Sequence, residues 1–259
     1  MDNPRGFRTI TPYPVVQNVP GQIDFLKQVF GPCHHVEETF RAVGSAGGYH
    51  SEVRIGDCMM MLGGGGAEVS WKGEPRPMAF HIYVPDIDAT YQRALAARAT
   101  SLLPPTDQPW GERTANVKDP FGNNWYIATF NGENYFSEGA PTIQPYLHPP
   151  NSAPVVDFLT RAFHGEESGR ATSPEGVILH TQVKIGDATI EFVDAIGIYQ
   201  PMPGMFYLYL PDVDTVYNRA LAAGATTLSE PAVQSYGERT AAVEAFGNKW
   251  YIATPIAPA

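Results

Sequence analysis

The stretch WGERTANVKDPFGNNWYIAT at residues 110–129 returns as YGERTAAVEAFGNKWYIAT at 236–254. Three more segments repeat in the same order. TPYPVVQNVPGQIDFLKQVFG (11–31) matches QPYLHPPNSAPVVDFLTRAFHG (144–165), and YHSEVRIGDCMMML (49–62) matches LHTQVKIGDATIEF (179–192). HIYVPDIDATYQRALAARAT (81–100) matches YLYLPDVDTVYNRALAAGAT (207–226). Self-similarity on this scale means that one structural programme is executed twice. The 259 residues therefore read as two homologous domains, 1–131 and 142–259, joined by a linker at 132–141 whose Gly, Asn, Ser and Pro suit a connector.

Within each copy the order is strand, helix and three strands, and then the same series again. DIDATYQRALAAR places Ile87, Tyr91, Ala94, Leu95 and Arg98 on one stripe, with Asp86 as N-cap. The second copy ends this helix at Gly224, suited to a left-handed conformation, where the first copy has Arg98. In HSEVRIG, Val53 and Ile55 face one way and His50, Glu52 and Arg54 the other. HTQVKIG repeats this with Val183 and Ile185 against His180, Gln182 and Lys184. The fold class is α+β, with one apolar sheet face under helices and one polar, concave face.

Composition excludes some functions. A formal net charge of −10 with no basic run argues against nucleic acid and against an anionic membrane surface. No apolar run approaches the roughly 20 residues that span a bilayer, and the first residues lack the apolar core of a signal peptide, so a cytoplasmic location is expected. Cys33 and Cys58 align with Glu166 and Ala188, which points to reduced thiols. GGGG (63–66) lacks the Lys and Ser/Thr of a phosphate loop and reads as a rim loop, and no nucleophile signature accompanies His50 or His180.

The four repeated segments together resemble the vicinal oxygen chelate superfamily, also called the glyoxalase/bleomycin resistance/dioxygenase superfamily, and are similar to its PhnB-like branch. The resemblance implies a tandem glyoxalase fold of four βαβββ modules whose sheets form up to two cups. It also implies positions for a divalent metal. The glutamate of the last strand falls on Tyr126 and Tyr251, the histidine that opens the second module on His81 and Tyr207, the fourth-strand glutamate on Met61 and Glu191, and the first-strand ligand on Thr11 and Gln144. Within one domain neither set is complete. If modules two and three share a cup, Gln144, Glu191, His81 and Tyr126 meet there, leaving Thr11, Met61, Tyr207 and Tyr251 for the other.

Alternation sends Trp125 and Trp250 to the core and Tyr126 and Tyr251 into the cup, where Met59, Met61, Tyr83, Tyr207, Tyr209, His50 and His180 join them. Arg113 and Arg239 of the GERT motifs are expected in salt bridges with Glu112 or Glu238 or with a neighbouring strand. Two readings stand. The favoured one is a protein without a metal cofactor, monomeric as an internal pseudo-dimer or homodimeric, that holds an aromatic or amphipathic small molecule. The other is a lyase or isomerase with Glu191 and His81 as catalytic residues, and with Glu191, His81 and Gln144 as candidate ligands for one divalent metal.

Overall fold

The computed structural model describes residues 6–44, 46–130 and 141–256. The expected linker lies outside the described residues except for Pro141. The chain begins with β1 (Ile10–Pro12) and β2 (Val15–Val16), then α1 (Val19–Phe30), β3 (Val36–Val43), β4 (Tyr49–Ile55) and β5 (Cys58–Gly64). There follow β6 (Ala79–Tyr83), α2 (Ile87–Ala96), β7 (Thr100–Asp107), β8 (Glu112–Lys118) and β9 (Asn124–Phe130). The second copy supplies β10 (Ile143–Leu147), α3 (Ser152–Phe163), β11 (Glu166–Thr172), β12 (Ile178–Ile185) and β13 (Ala188–Phe192). It ends with β14 (Met205–Tyr209), α4 (Val213–Ala222), β15 (Thr226–Val233), β16 (Glu238–Ala245) and β17 (Asn248–Pro255). Four βαβββ modules are thus present, the first with its opening strand divided at Tyr13 and Pro14. None of the described helices is long and apolar enough to cross a membrane.

The chain forms two compact units. The first is Pro14–Pro145; the second combines Met1–Tyr13 with Tyr146–Ala259. In the first unit one sheet runs β2-β5-β4-β3, and the other runs from the first three residues of β10 through β6, β9 and β8 to β7. In the second unit one sheet runs β1-β14-β17-β16-β15, and the other runs β11-β12-β13 and the last two residues of β10. In every module the strand before the helix pairs parallel with the last strand, as a crossover connection requires.

The helices begin as the sequence dictates. Asn18, Asp86, Asn151 and Asp212 each cap a first turn by accepting a backbone N–H. The buried stripe of α2 is Ile87, Thr90, Tyr91 and Ala94. Arg98 lies beyond the helix, exposed and in a left-handed conformation at φ 69°, matching Gly224 at φ 103°. The stripe expected to include Arg98 is therefore corrected to one that closes at Ala94 with Leu95 half-buried.

Trp125 and Trp250 lie in the cores of the two units, each stacked on the phenylalanine of the neighbouring strand, Phe80 and Phe206. Only the second half of GGGG lies in a loop. Gly63 and Gly64 end the buried strand β5, and a Cβ on Gly64 would collide with the Val16 carbonyl oxygen. Glycine serves here for the close approach of two backbones. Cys33 and Cys58 are free thiols.

Candidate ligand-binding faces

Strand registry places the expected lining residues in rows, because directly opposed residues share a sheet face. In the first unit one row crosses four strands: Gln144 opposes His81, His81 opposes Tyr126, and Tyr126 opposes Asn116. The equivalent row in the second unit is Thr11, Tyr207, Tyr251 and Ala242. One row is thus rich in polar donors and acceptors, and the other is aromatic and small. Asn116, which is buried, is not legible in the sequence as a site residue, because Ala242 stands at its repeat position.

The GERT glutamates turn inward beside these rows. Glu238 accepts hydrogen bonds from the phenols of Tyr207 at 2.5 Å and Tyr209 at 3.1 Å. The Tyr207 ring lies nearly parallel to that of Tyr251, with centroids 6.4 Å apart and planes at 9°. Burial, reinforced by Glu238, pushes the Tyr207 phenol far above its ordinary ionisation range. In the first unit Glu112 accepts from Tyr83 at 2.7 Å and from the indole of Trp110 at 2.8 Å, and the His81 ring lies 4.6 Å from that of Tyr83. The GERT arginines do not pair with these glutamates. Arg113 holds Asp88 and Asp107, and Arg239 holds Asp214 of α4, tying the hairpins to the helices and leaving the carboxylates to the phenols.

A second pair of faces carries the histidines of the IGD segments. In the first unit Glu52 opposes Met61, and His50 Nε2 lies 3.8 Å from Glu52 Oε1. In the second unit Gln182 opposes Glu191, and His180 Nε2 lies 3.7 Å from Glu191 Oε2. The carboxylate has exchanged places with its cross-strand neighbour between the copies, yet each unit keeps one buried glutamate beside its histidine. Glu52 is thus the counterpart of Glu191, a relationship that matching positions one to one conceals. Met59 and Met61 are buried on the same face as Glu52.

Of the three candidate metal ligands, Gln144 and His81 meet in the first unit, and Glu191 belongs to the second. Among the described residues no group of three or more His, Cys, Asp or Glu side chains converges. A divalent cation wants about four to six convergent donors, with carboxylate, thiolate or imidazole among them. One imidazole with an amide and a phenol in the first unit, or one carboxylate with one imidazole in the second, does not fit that demand.

Residues 15–127 match the sequence model of the family described as Glyoxalase/Bleomycin resistance protein/Dioxygenase superfamily. An uncharacterised protein of Mycobacterium bovis is 29% identical over 128 residues, which cover 45% of this chain and 84% of that protein. A similar uncharacterised protein of Mycobacterium tuberculosis is 29% identical over 128 residues, covering 45% of this chain and 75% of its own length. Glyoxalase I of Zea mays superposes with a TM-score of 0.67 at 12% identity, over 95% of this chain and 92% of that one. Residues 15–127 are thus similar to the glyoxalase/bleomycin resistance/dioxygenase superfamily, and the chain as a whole carries the glyoxalase fold.

Proposed function

We propose that the protein binds a small aromatic or amphipathic organic molecule on its concave sheet faces, without a metal cofactor, and acts as a monomer or homodimer. The observation that carries this reading is the row Thr11, Tyr207, Tyr251 and Ala242, in which two parallel phenols stand over small neighbours. Glu238 fixes the Tyr207 hydroxyl, so the ring is pre-oriented and its immobilisation on binding costs little. Apolar walls with a few oriented polar groups suit such a ligand.

Titration of the full chain with a panel of amphipathic aromatic compounds, followed by tryptophan fluorescence and thermal unfolding, tests this. At least one compound is expected to saturate and to raise the unfolding midpoint, and Tyr251→Ala is expected to weaken it about tenfold. Failure of the whole panel to bind, together with stoichiometric divalent metal on elemental analysis, would overturn it. That outcome would favour the lyase or isomerase reading, which draws support from Gln144 and His81 standing opposite each other on β10 and β6.

A further inference from the structure

We propose that the outer edge of β3 is a docking surface for a second copy of this chain, which joins it strand to strand and antiparallel, about a two-fold axis between Thr39 and Phe40. The proposal concerns the partner rather than the ligand and does not depend on the reading above. The strands β3, β7, β11 and β15 each end a sheet, and an open strand edge is a template for another strand unless something blocks it. Three of these edges are blocked. β7 carries Pro104 and Pro105, β15 carries Pro231, and β11 is interrupted by two register shifts and by Gly169 at φ 67°. β3 has no proline, and its Phe40 and Val43 are 42% and 62% exposed.

The order of side chains along β3 fits a second β3 running the other way. Val36, Glu38, Arg41 and Val43 oppose Ile55, Val53, Ser51 and Tyr49 of β4 and so share one face. A single register shift, between Glu38 and Phe40, brings Glu38 and Arg41 onto that face although they are three residues apart. In an antiparallel pair centred between Thr39 and Phe40, Val36 stands opposite the partner's Val43 and Glu38 opposite the partner's Arg41. The two register shifts then fall opposite each other at the axis. The charges need not be free for this. Arg41 already holds Glu38 of its own strand through two hydrogen bonds of 2.6 and 2.8 Å, and its guanidinium carbon lies 5.1 Å from the centre of the Tyr49 ring. Two such pairs laid head to tail alternate in sign, so each charge gains an opposite one across the axis.

The second copy shows that the fold does not demand this edge. Glu167 and Arg170 make the same ion pair on β11, and Glu167 opposes Val183 as Glu38 opposes Val53. Between them stands Gly169 in a left-handed conformation where β3 has Phe40, and Thr172 stands where β3 has Val43. Both copies therefore keep the ion pair, and only β3 combines it with exposed apolar residues.

Sedimentation velocity of the full chain over a range of concentrations tests this. A single strand pair makes a small interface, so a dissociation constant of about 10–100 µM is expected. Val43→Lys puts a charge at an exposed edge position and is expected to weaken the dimer about tenfold with an unchanged thermal midpoint. Arg41→Glu is expected to weaken it as much, and Glu38→Arg combined with Arg41→Glu to restore it to within about threefold of the parent protein. Because Val43 is exposed, its variant reads the same edge even if Arg41→Glu disturbs folding. A monomer up to several hundred µM, a dimer that Val43→Lys leaves intact, or a charge-exchanged variant that stays monomeric overturns the proposal, whatever the ligand titrations show.

Discussion

The indole of Trp125 donates its N–H to Asp119 Oδ2 at 3.0 Å, whereas the N–H of Trp250, buried at the equivalent position, meets no acceptor among the described residues. The cause is one residue in the turn before the last strand of each copy, DPFG at 119–122 against AFG at 245–247. Asp119 also accepts from the backbone of Phe121 and Asn123 and from the amides of Gln22 and Asn123. Asp119→Ala leaves these buried donors unsatisfied and is expected to cost about 3 kcal/mol by denaturant unfolding. Trp125→Phe loses a hydrogen bond and Trp250→Phe does not. The first is therefore expected to cost about 1 kcal/mol more than the second, and equal costs would contradict the assignment.

Arg98 sits at φ 69°, a conformation that an L side chain adopts at a cost and glycine does not. Arg98→Gly is expected to raise stability by about 0.5–1 kcal/mol, because Gly224 already fills the matching position in the other copy. A lowered thermal midpoint would show that the Arg98 side chain contributes more than the strain it imposes.

His148 is buried and its pKa is pushed down to about 4, so the native state resists a proton that the unfolded chain takes up near 6.5. A depressed imidazole gives stability that is fully present above about 6.5 and is lost as pH falls towards 4. The loss expected from this group is up to about 3 kcal/mol. Unfolding midpoints measured at pH 7 and pH 4.5 should differ less in His148→Gln than in the parent protein. A pH dependence unchanged by the substitution would remove His148 as its source.

The exchanged glutamates predict tolerance of a double substitution. Glu52 and Met61 oppose each other on β4 and β5. Glu52→Gln with Met61→Glu recreates the Gln182 and Glu191 arrangement and keeps a carboxylate within reach of His50. The double variant is expected to unfold within about 1 kcal/mol of the parent protein, and Met61→Glu alone, with two buried carboxylates face to face, about 2–4 kcal/mol below it. Additive losses would mean that the two positions do not share one face.

Most of the local architecture is legible because it is encoded locally. Period-two alternation in HSEVRIG and HTQVKIG predicts which residues of β4 and β12 face the helices, and Asp86 caps α2 as its position before IDATY implies. The core position of Trp125 follows from the same alternation. Legibility fails where a side chain can choose between partners. Arg113 and Glu112 are adjacent in sequence and alternate across the strand, so they point to opposite faces and cannot pair. Arg113 meets the helix aspartate, and Glu112 meets Tyr83. GGGG misleads because glycine signals a loop and a tight backbone approach equally well, and only the packing of β5 on β2 distinguishes them.

By itself the sequence determined that one βαβββ programme runs four times and that Val53, Ile55, Trp125 and Trp250 enter the cores, because strand and helix periods depend only on neighbouring residues. The tertiary structure decided which strands stand side by side. It set Gln144 against His81 and Tyr146 against Glu191, and it exposed Glu52 as the counterpart of Glu191. Those pairings depend on sheet registry between segments distant in the chain, and registry is fixed by the packing of whole strands rather than by the order of residues along one of them.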